Sequence, residues 1–173
     1  VIACDQYTAE PAYWREVERI VGDAPSTLHL IYPEADLEAA DKPARIARIQ
    51  ATMRRYLAEQ RLVEHDGPVL VERTVDGRTR RGLMLEIDLE HYDFDAASTS
   101  LVRPTEGTIV ARLAPRIEVR RGAELELPHI LVLIDDRAHT VIEPLAAARD
   151  ALAPLYEAAL MCGGGSVAGR AVD

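Results

Sequence analysis

The residues with the most capacity for chemistry lie between Leu101 and Asp136. Arg103-Pro-Thr-Glu-Gly-Thr108 comes first, then Arg112, Pro115-Arg116 and Glu124-Leu-Glu-Leu-Pro-His129, and the stretch closes on Asp135-Asp136. Arginines, carboxylates, hydroxyls, a glycine and a histidine in an otherwise apolar segment suit a pocket for a charged small molecule better than a surface loop. If Thr105 caps a helix, the N–H groups of Glu106, Gly107 and Thr108 point outward at a positive helix end. Gly107 would then let an anion come close to the backbone. Arg103, Arg112 and Arg116 would add bidentate contacts to phosphate or carboxylate. Glu106, set among those cations, could serve as the base for a hydroxyl nucleophile or as an ion-pair partner. The plainer reading of the same residues is a capping motif, Thr105 with Thr108, beside surface arginines, because the spacing matches no known phosphate loop.

Two further groups adjoin that segment. Asp135 and Asp136 close an apolar run, where paired carboxylates either hold Mg²⁺ or simply start a turn. His129 opens the same run and is either a polar contact to a ligand or a satisfied core histidine. Gly163-Gly-Gly-Ser166 lacks the lysine of a phosphate loop and is better read as a flexible turn. Asp5 and Glu34 stand beside apolar runs without local demand for a function. Arg54-Arg55 and Arg80-Arg81 read as solvated positions. No Ser-His-Asp or Cys-His arrangement can be argued.

The elements that must position these residues follow from periodicity. Val1 to Cys4 reads as a buried strand. Glu10-Pro11 opens a helix carrying Tyr13, Trp14, Val17, Ile20 and Val21 at helical spacing, and Gly22 stops it. Leu28 to Tyr32 reads as a strand. Asp41-Lys-Pro opens a second helix with the apolar stripe Ile46, Ile49, Met53, Tyr56 and Leu57, with Arg45, Arg48, Arg54 and Arg55 mostly off it. Pro68–Val75 and Thr79–Leu89 flank Asp76-Gly77, a strong hairpin signal. Ile109, Val110 and Leu113 suggest a short helix opened by Thr105. Arg116 to Arg120 alternates as a strand does, and His129 to Asp136 reads as a fully buried strand. Ile142 to Leu152 is alanine-rich and helical, while Leu155 to Met161 fits either state. This order predicts an α+β fold with a mixed sheet, a β-hairpin and several flanking helices in a single domain over residues 1–173.

Composition narrows the function classes. Of 173 residues, 48% are apolar and 28% charged, which are ordinary globular values and far from those of disordered chains. The net charge of −9 argues against nucleic acid as a partner, since phosphate backbones demand clustered Lys and Arg. Ser98 to His129, with five Arg and four Glu, is the exception to that acidity. Such a segment suits a small anion. Cys4 and Cys162 form neither a metal-ligand spacing nor a disulfide framework, so a reduced cytoplasmic compartment is expected. No apolar run is long enough for a membrane span, and the N-terminus has no signal-peptide pattern. The start at Val-Ile-Ala-Cys-Asp, without Met, suggests that leading residues are missing.

Many short stretches together resemble one family of prokaryotic proteins, domain of unknown function 1015. They are Ala3-Cys-Asp-Gln-Tyr-Thr8, Tyr13-Trp14, Ala24-Pro-Ser-Thr-Leu28, Pro33-Glu34, Glu72-Arg73, Gly82-Leu83 and Asp88-Leu-Glu-His-Tyr-Asp93. Then come Arg103-x-Thr-Glu-Gly-Thr108, Pro115-Arg116, Glu126-Leu-Pro-His129 and Leu133-Ile-Asp-Asp136. Members of that family are about twice this length, so the resemblance implies that the chain is an N-terminal portion of a longer protein. It also implies a distant kinship with ParB-like folds and free serine kinases. The Gly-Asp-Gly-Asn-His type box of that group is absent here. On this resemblance the expected activity is phosphoryl transfer from ATP or ADP, with Mg²⁺, to a small hydroxylated amino acid such as L-serine. Glu106 would activate the hydroxyl. Arg103, Thr105, Gly107, Thr108, Arg112, Arg116 and His129 would bind phosphate or substrate, and Asp135 and Asp136 the metal. The alternative is a non-catalytic module that senses a nucleotide or anion. Neither reading involves nucleic acid or membrane, and both leave room for a homodimer.

Overall fold

The computed structural model describes residues 10–36, 39–95, 97–104, 107, 110, 113–127, 129–160 and 163–172. The fold is α+β. The chain divides into two compact units, each assembled from two stretches of sequence: Val1–Glu64 with Glu106–Leu131, and His65–Thr105 with Val132–Asp173.

The first unit is helical. Helix α1, Pro11–Val21, begins with proline where a missing N–H costs nothing and ends at Gly22, whose φ of +52° suits glycine. It buries Trp14, Val17 and Val21. A short 3₁₀ turn, Thr27–Leu30, follows, then another at Glu34–Asp36. Helix α2, Lys42–Ala58, supplies most of the core through Ile46, Ile49, Met53 and Tyr56, which pack with Leu30 and Tyr32. Helix α3, Leu113–Arg120, lies against α2. Gln50 Nε2 donates to the Val119 carbonyl at 3.0 Å, and Lys42 pairs with Glu118 at 3.0 Å, so two polar contacts fix the pair. Val119, Ala123, Leu125 and Leu127 extend the same apolar cluster.

The second unit is a four-stranded sheet of order β2-β1-β4-β3, with β1 Val69–Val75, β2 Arg78–Met84, β3 Pro154–Ala159 and β4 Ser166–Ala171. Every pair in it is antiparallel, and the isolated bridge Tyr92–Val102 is parallel. Asp76 and Gly77, at φ +50° and +72°, close the β1–β2 hairpin in the left-handed geometry that matches strand twist. Helix α4, Ile142–Ala147, lies against β2 and continues into a 3₁₀ turn at Arg149–Ala151. Glu72 is buried on β1 and accepts from Arg81 Nε at 2.9 Å and Arg149 Nε at 2.8 Å.

Four sequence expectations are corrected here. Leu28–Tyr32 is not a strand: the Ser26 hydroxyl accepts from Leu28 N at 3.2 Å and winds the chain into a 3₁₀ turn, with extended backbone resuming only at Ile31. Arg116–Arg120 is helical within α3. Five alternating residues are too few to exclude a helix, and contacts to α2 reward the helical face. The second hairpin arm ends at Met84, so Leu85, Ile87 and Leu89 stand exposed instead of continuing the strand. Most of all, His129–Asp136 is neither strand nor buried. Ile130, Leu131 and Leu133 are 86%, 73% and 80% exposed, and no described strand hydrogen-bonds to the run. Val1–Cys4, Thr105, Glu106, Thr108 and Ile109 lie outside the described residues.

Candidate functional site

Much of the arginine-rich segment chosen from the sequence falls outside the described residues: Glu106, Thr105, Thr108 and Arg112 entirely, and Arg116 except for its place in α3. Asp5 and the Glu34 side chain fall outside as well. Arg103 is exposed, and its Nε donates to the Ser100 carbonyl at 2.9 Å. That bond orients the guanidinium, and its terminal nitrogens have no partner among the described residues. Gly107 is exposed, and a Cβ built there would meet nothing within 4 Å among the described residues.

His129 is exposed, which removes the core-histidine alternative. Asp135 is exposed and pairs with Arg137 at 3.3 Å. Asp136 is already engaged. Its carboxylate accepts from Thr140 N at 2.8 Å, Val141 N at 2.8 Å and Thr140 Oγ1 at 3.0 Å, capping the turn that leads into α4. Chiefly the Val141 amide, with help from Thr140, holds its carboxyl below the usual range. In this arrangement the Asp136 oxygens are taken by backbone and hydroxyl donors, whereas Asp135 makes only the contact to Arg137 among the described residues. Among the described residues, no group of three or more His, Cys, Asp and Glu side chains is placed to hold a metal. Gly165 is explained by the sheet alone: its φ is +83°, and a Cβ there would collide with the Thr74 carbonyl.

An open concavity lies elsewhere, within the first unit. A cleft of about 270 Å³ is walled by the end of α1, the chain from Leu28 to Asp36 and one face of α2. Helical spacing places Arg45, Arg48, Ile49 and Thr52 along that face of α2, and all four line the cleft. Arg45 is held on two sides, by Asp36 at 2.9 Å and by Asp41 at 2.9 Å. The Asp41 hydrogen bond keeps the guanidinium firmly protonated. Tyr32 donates its hydroxyl to the Asp36 carbonyl at 2.7 Å, and burial, reinforced by the Asp36 charge, pushes its phenol up.

Three other lining groups are not engaged. Arg48 and Glu18 have neither a hydrogen bond nor an ion pair among the described residues, although both border the cleft. His29 has an Nε2 that is closed to solvent and has no hydrogen-bond partner among the described residues. Thr52 is buried at the foot of the same wall. Sequence reading missed this site because its residues are scattered over thirty-odd positions, with no compact motif. The available signal was the Arg45, Arg48, Thr52 spacing along one side of a well-predicted helix.

A family model described as "Protein of unknown function (DUF1015)" matches residues 1–168. No curated protein and no solved structure matches the chain. With nearly the whole length covered, and the pattern running from Ala3-Cys-Asp through Leu133-Ile-Asp-Asp136, the chain belongs to the DUF1015 family.

Proposed function

We propose that this chain binds a small anionic metabolite in the cleft between α1 and α2. The observation that carries the reading is Arg48, a guanidinium on a concave wall with no counter-ion among the described residues, one helical turn from the Thr52 hydroxyl. A planar fork beside a hydroxyl donor is good chemistry for a carboxylate or phosphate. Arg45 is already neutralised by its two aspartates and serves as wall rather than ligand contact.

A phosphotransferase is the second reading. It is favoured by Arg103, whose guanidinium is oriented through Nε and whose terminal nitrogens have no partner among the described residues. In that reading a nucleoside phosphate, ATP or ADP, brings its own Mg²⁺, and the acceptor is a small hydroxylated amino acid such as L-serine. Catalysis would rest on positioning and charge stabilisation, with Glu106 beside the hydroxyl and Arg103, Thr105, Gly107, Thr108, Arg112, Arg116 and His129 as phosphate or substrate contacts. Both readings place the protein in the cytoplasm and need neither nucleic acid nor membrane. A homodimer is compatible with each.

Thermal unfolding with serine, phosphoserine, ATP and ADP, each with and without Mg²⁺, separates them. A ligand at 100 times its Kd adds about 2.7 kcal/mol of stability, a shift of several degrees at this size. A shift lost in Arg48→Gln supports the binding reading. Mg²⁺-dependent formation of phosphoserine, lost in Arg103→Ala, supports the enzymatic one. If no ligand shifts the transition and no product forms, both fail.

A further inference from the structure

The lining of the α1–α2 cleft carries both signs of charge, unpaired with each other. Glu18 and Arg48 border the same concavity, yet they make no ion pair within 4.0 Å and each lacks another partner among the described residues. Both side chains are exposed, so each charge is available to a ligand in the cleft.

The backbone adds to the polarity. Glu18 sits in the last turns of α1, near its negative end, and Gly22 at that end lines the cleft. A carboxylate is disfavoured at that end of a helix, where a cation is preferred. Neighbouring Arg19 does not relieve it, being paired with Glu16 at 2.6 Å. The α1 side of the cleft therefore carries a negative charge from the Glu18 side chain, at the negative end of the helix dipole. Against it, α2 supplies the Arg48 guanidinium and the Thr52 hydroxyl. His29, with its unsatisfied Nε2, borders the same space.

We infer that the cleft recognises a small zwitterion: its carboxylate on Arg48 and Thr52, and its ammonium on the Glu18 carboxylate at the negative end of α1. Size agrees. Sites for drug-sized ligands run to roughly 300–1,000 Å³, and a cleft of about 270 Å³ is better matched by a molecule of free amino-acid dimensions. This inference rests on the cleft being a small-molecule site and adds the requirement for a cation on the ligand.

Calorimetric titration of the full chain with glycine, L-alanine and L-serine tests it, beside L-lactate, which lacks the ammonium, and ethanolamine, which lacks the carboxylate. The zwitterions should bind at least roughly tenfold more tightly than either half-ligand, as expected for losing one charged hydrogen bond. Glu18→Gln and Arg48→Gln should each weaken the zwitterions by a similar factor. Glu18→Gln should leave lactate unaffected, whereas Arg80→Gln, far along the sequence on β2, should change nothing. Circular dichroism of each variant confirms that these exposed substitutions leave the fold intact. If lactate binds as well as alanine, or Glu18→Gln has no effect on alanine, the zwitterion inference is overturned while the anion-binding reading stands. If none of the five probes nor phosphate binds, both fall together.

Discussion

Glu72 shows how one buried charge is made tolerable. Its side chain is 8% exposed, and burial alone would raise its pKa, but the guanidinium hydrogen bonds from Arg81 and Arg149 outweigh that and bring the carboxyl below its ordinary value of 4.5. A depressed folded-state pKa means stability that is complete above the unfolded value and is lost as pH falls through the folded one. Acid unfolding followed by circular dichroism should therefore show a Glu72-dependent loss of stability below about pH 4.5, and Glu72→Gln should flatten that part of the curve. At pH 7 the same substitution should lower unfolding free energy by about 1–2 kcal/mol, discounted because both arginines are about 40% exposed. Denaturant titration measures it. Asp136 makes a different use of a carboxylate. It organises a turn, the plainer of the two roles that the sequence leaves open for this aspartate.

Among the elements, α2 carries the first unit's core. Met53 is 2% exposed within the Leu30, Tyr32, Ile46, Ile49, Tyr56 cluster, so Met53→Ala should cost about 2–4 kcal/mol in denaturant unfolding. Gly165 is the corresponding point in the sheet. Alanine there meets both a positive φ and the Thr74 carbonyl, a backbone atom that cannot swing aside, so Gly165→Ala should destabilise by at least about 2 kcal/mol. The two long helices and the β1–β2 hairpin were legible because long amphipathic periods, Pro near the helix start and Asp-Gly at a turn each have a local physical cause. Strand β4 was not legible. Ser-Val-Ala-Gly-Arg-Ala has weak strand propensity, and its place between β1 and β3 is decided by pairing with segments far away in sequence. The α1–α2 cleft was hidden for the same reason. Arg48 and Glu18 are thirty residues apart, and only the turn of the chain through Leu28–Asp36 brings them to one concavity.

At the scale of the molecule, the largest departure from expectation is the run from Ile130 to Ile134. Five successive apolar residues stand more than two-fifths exposed. An exposed apolar side chain contributes little to folding, so Leu131→Ser and Leu133→Ser should each leave the melting temperature nearly unchanged, within about 0.5 kcal/mol. Both should raise solubility, as light scattering during heating would show. A large drop in melting temperature would mean that the run is covered in solution. The sheet has its own consequence, a kinetic one. Strand β4 hydrogen-bonds β1 on one side and β3 on the other, and the whole stretch from 76 to 165 separates it from β1. On a ribosome, β1 and β2 can zip into a hairpin long before β4 emerges, leaving one edge of β1 as an open template. Until that late strand arrives, β1 presents an unpaired edge that another strand could occupy, and the long loop that must close makes this pairing a slow one to form.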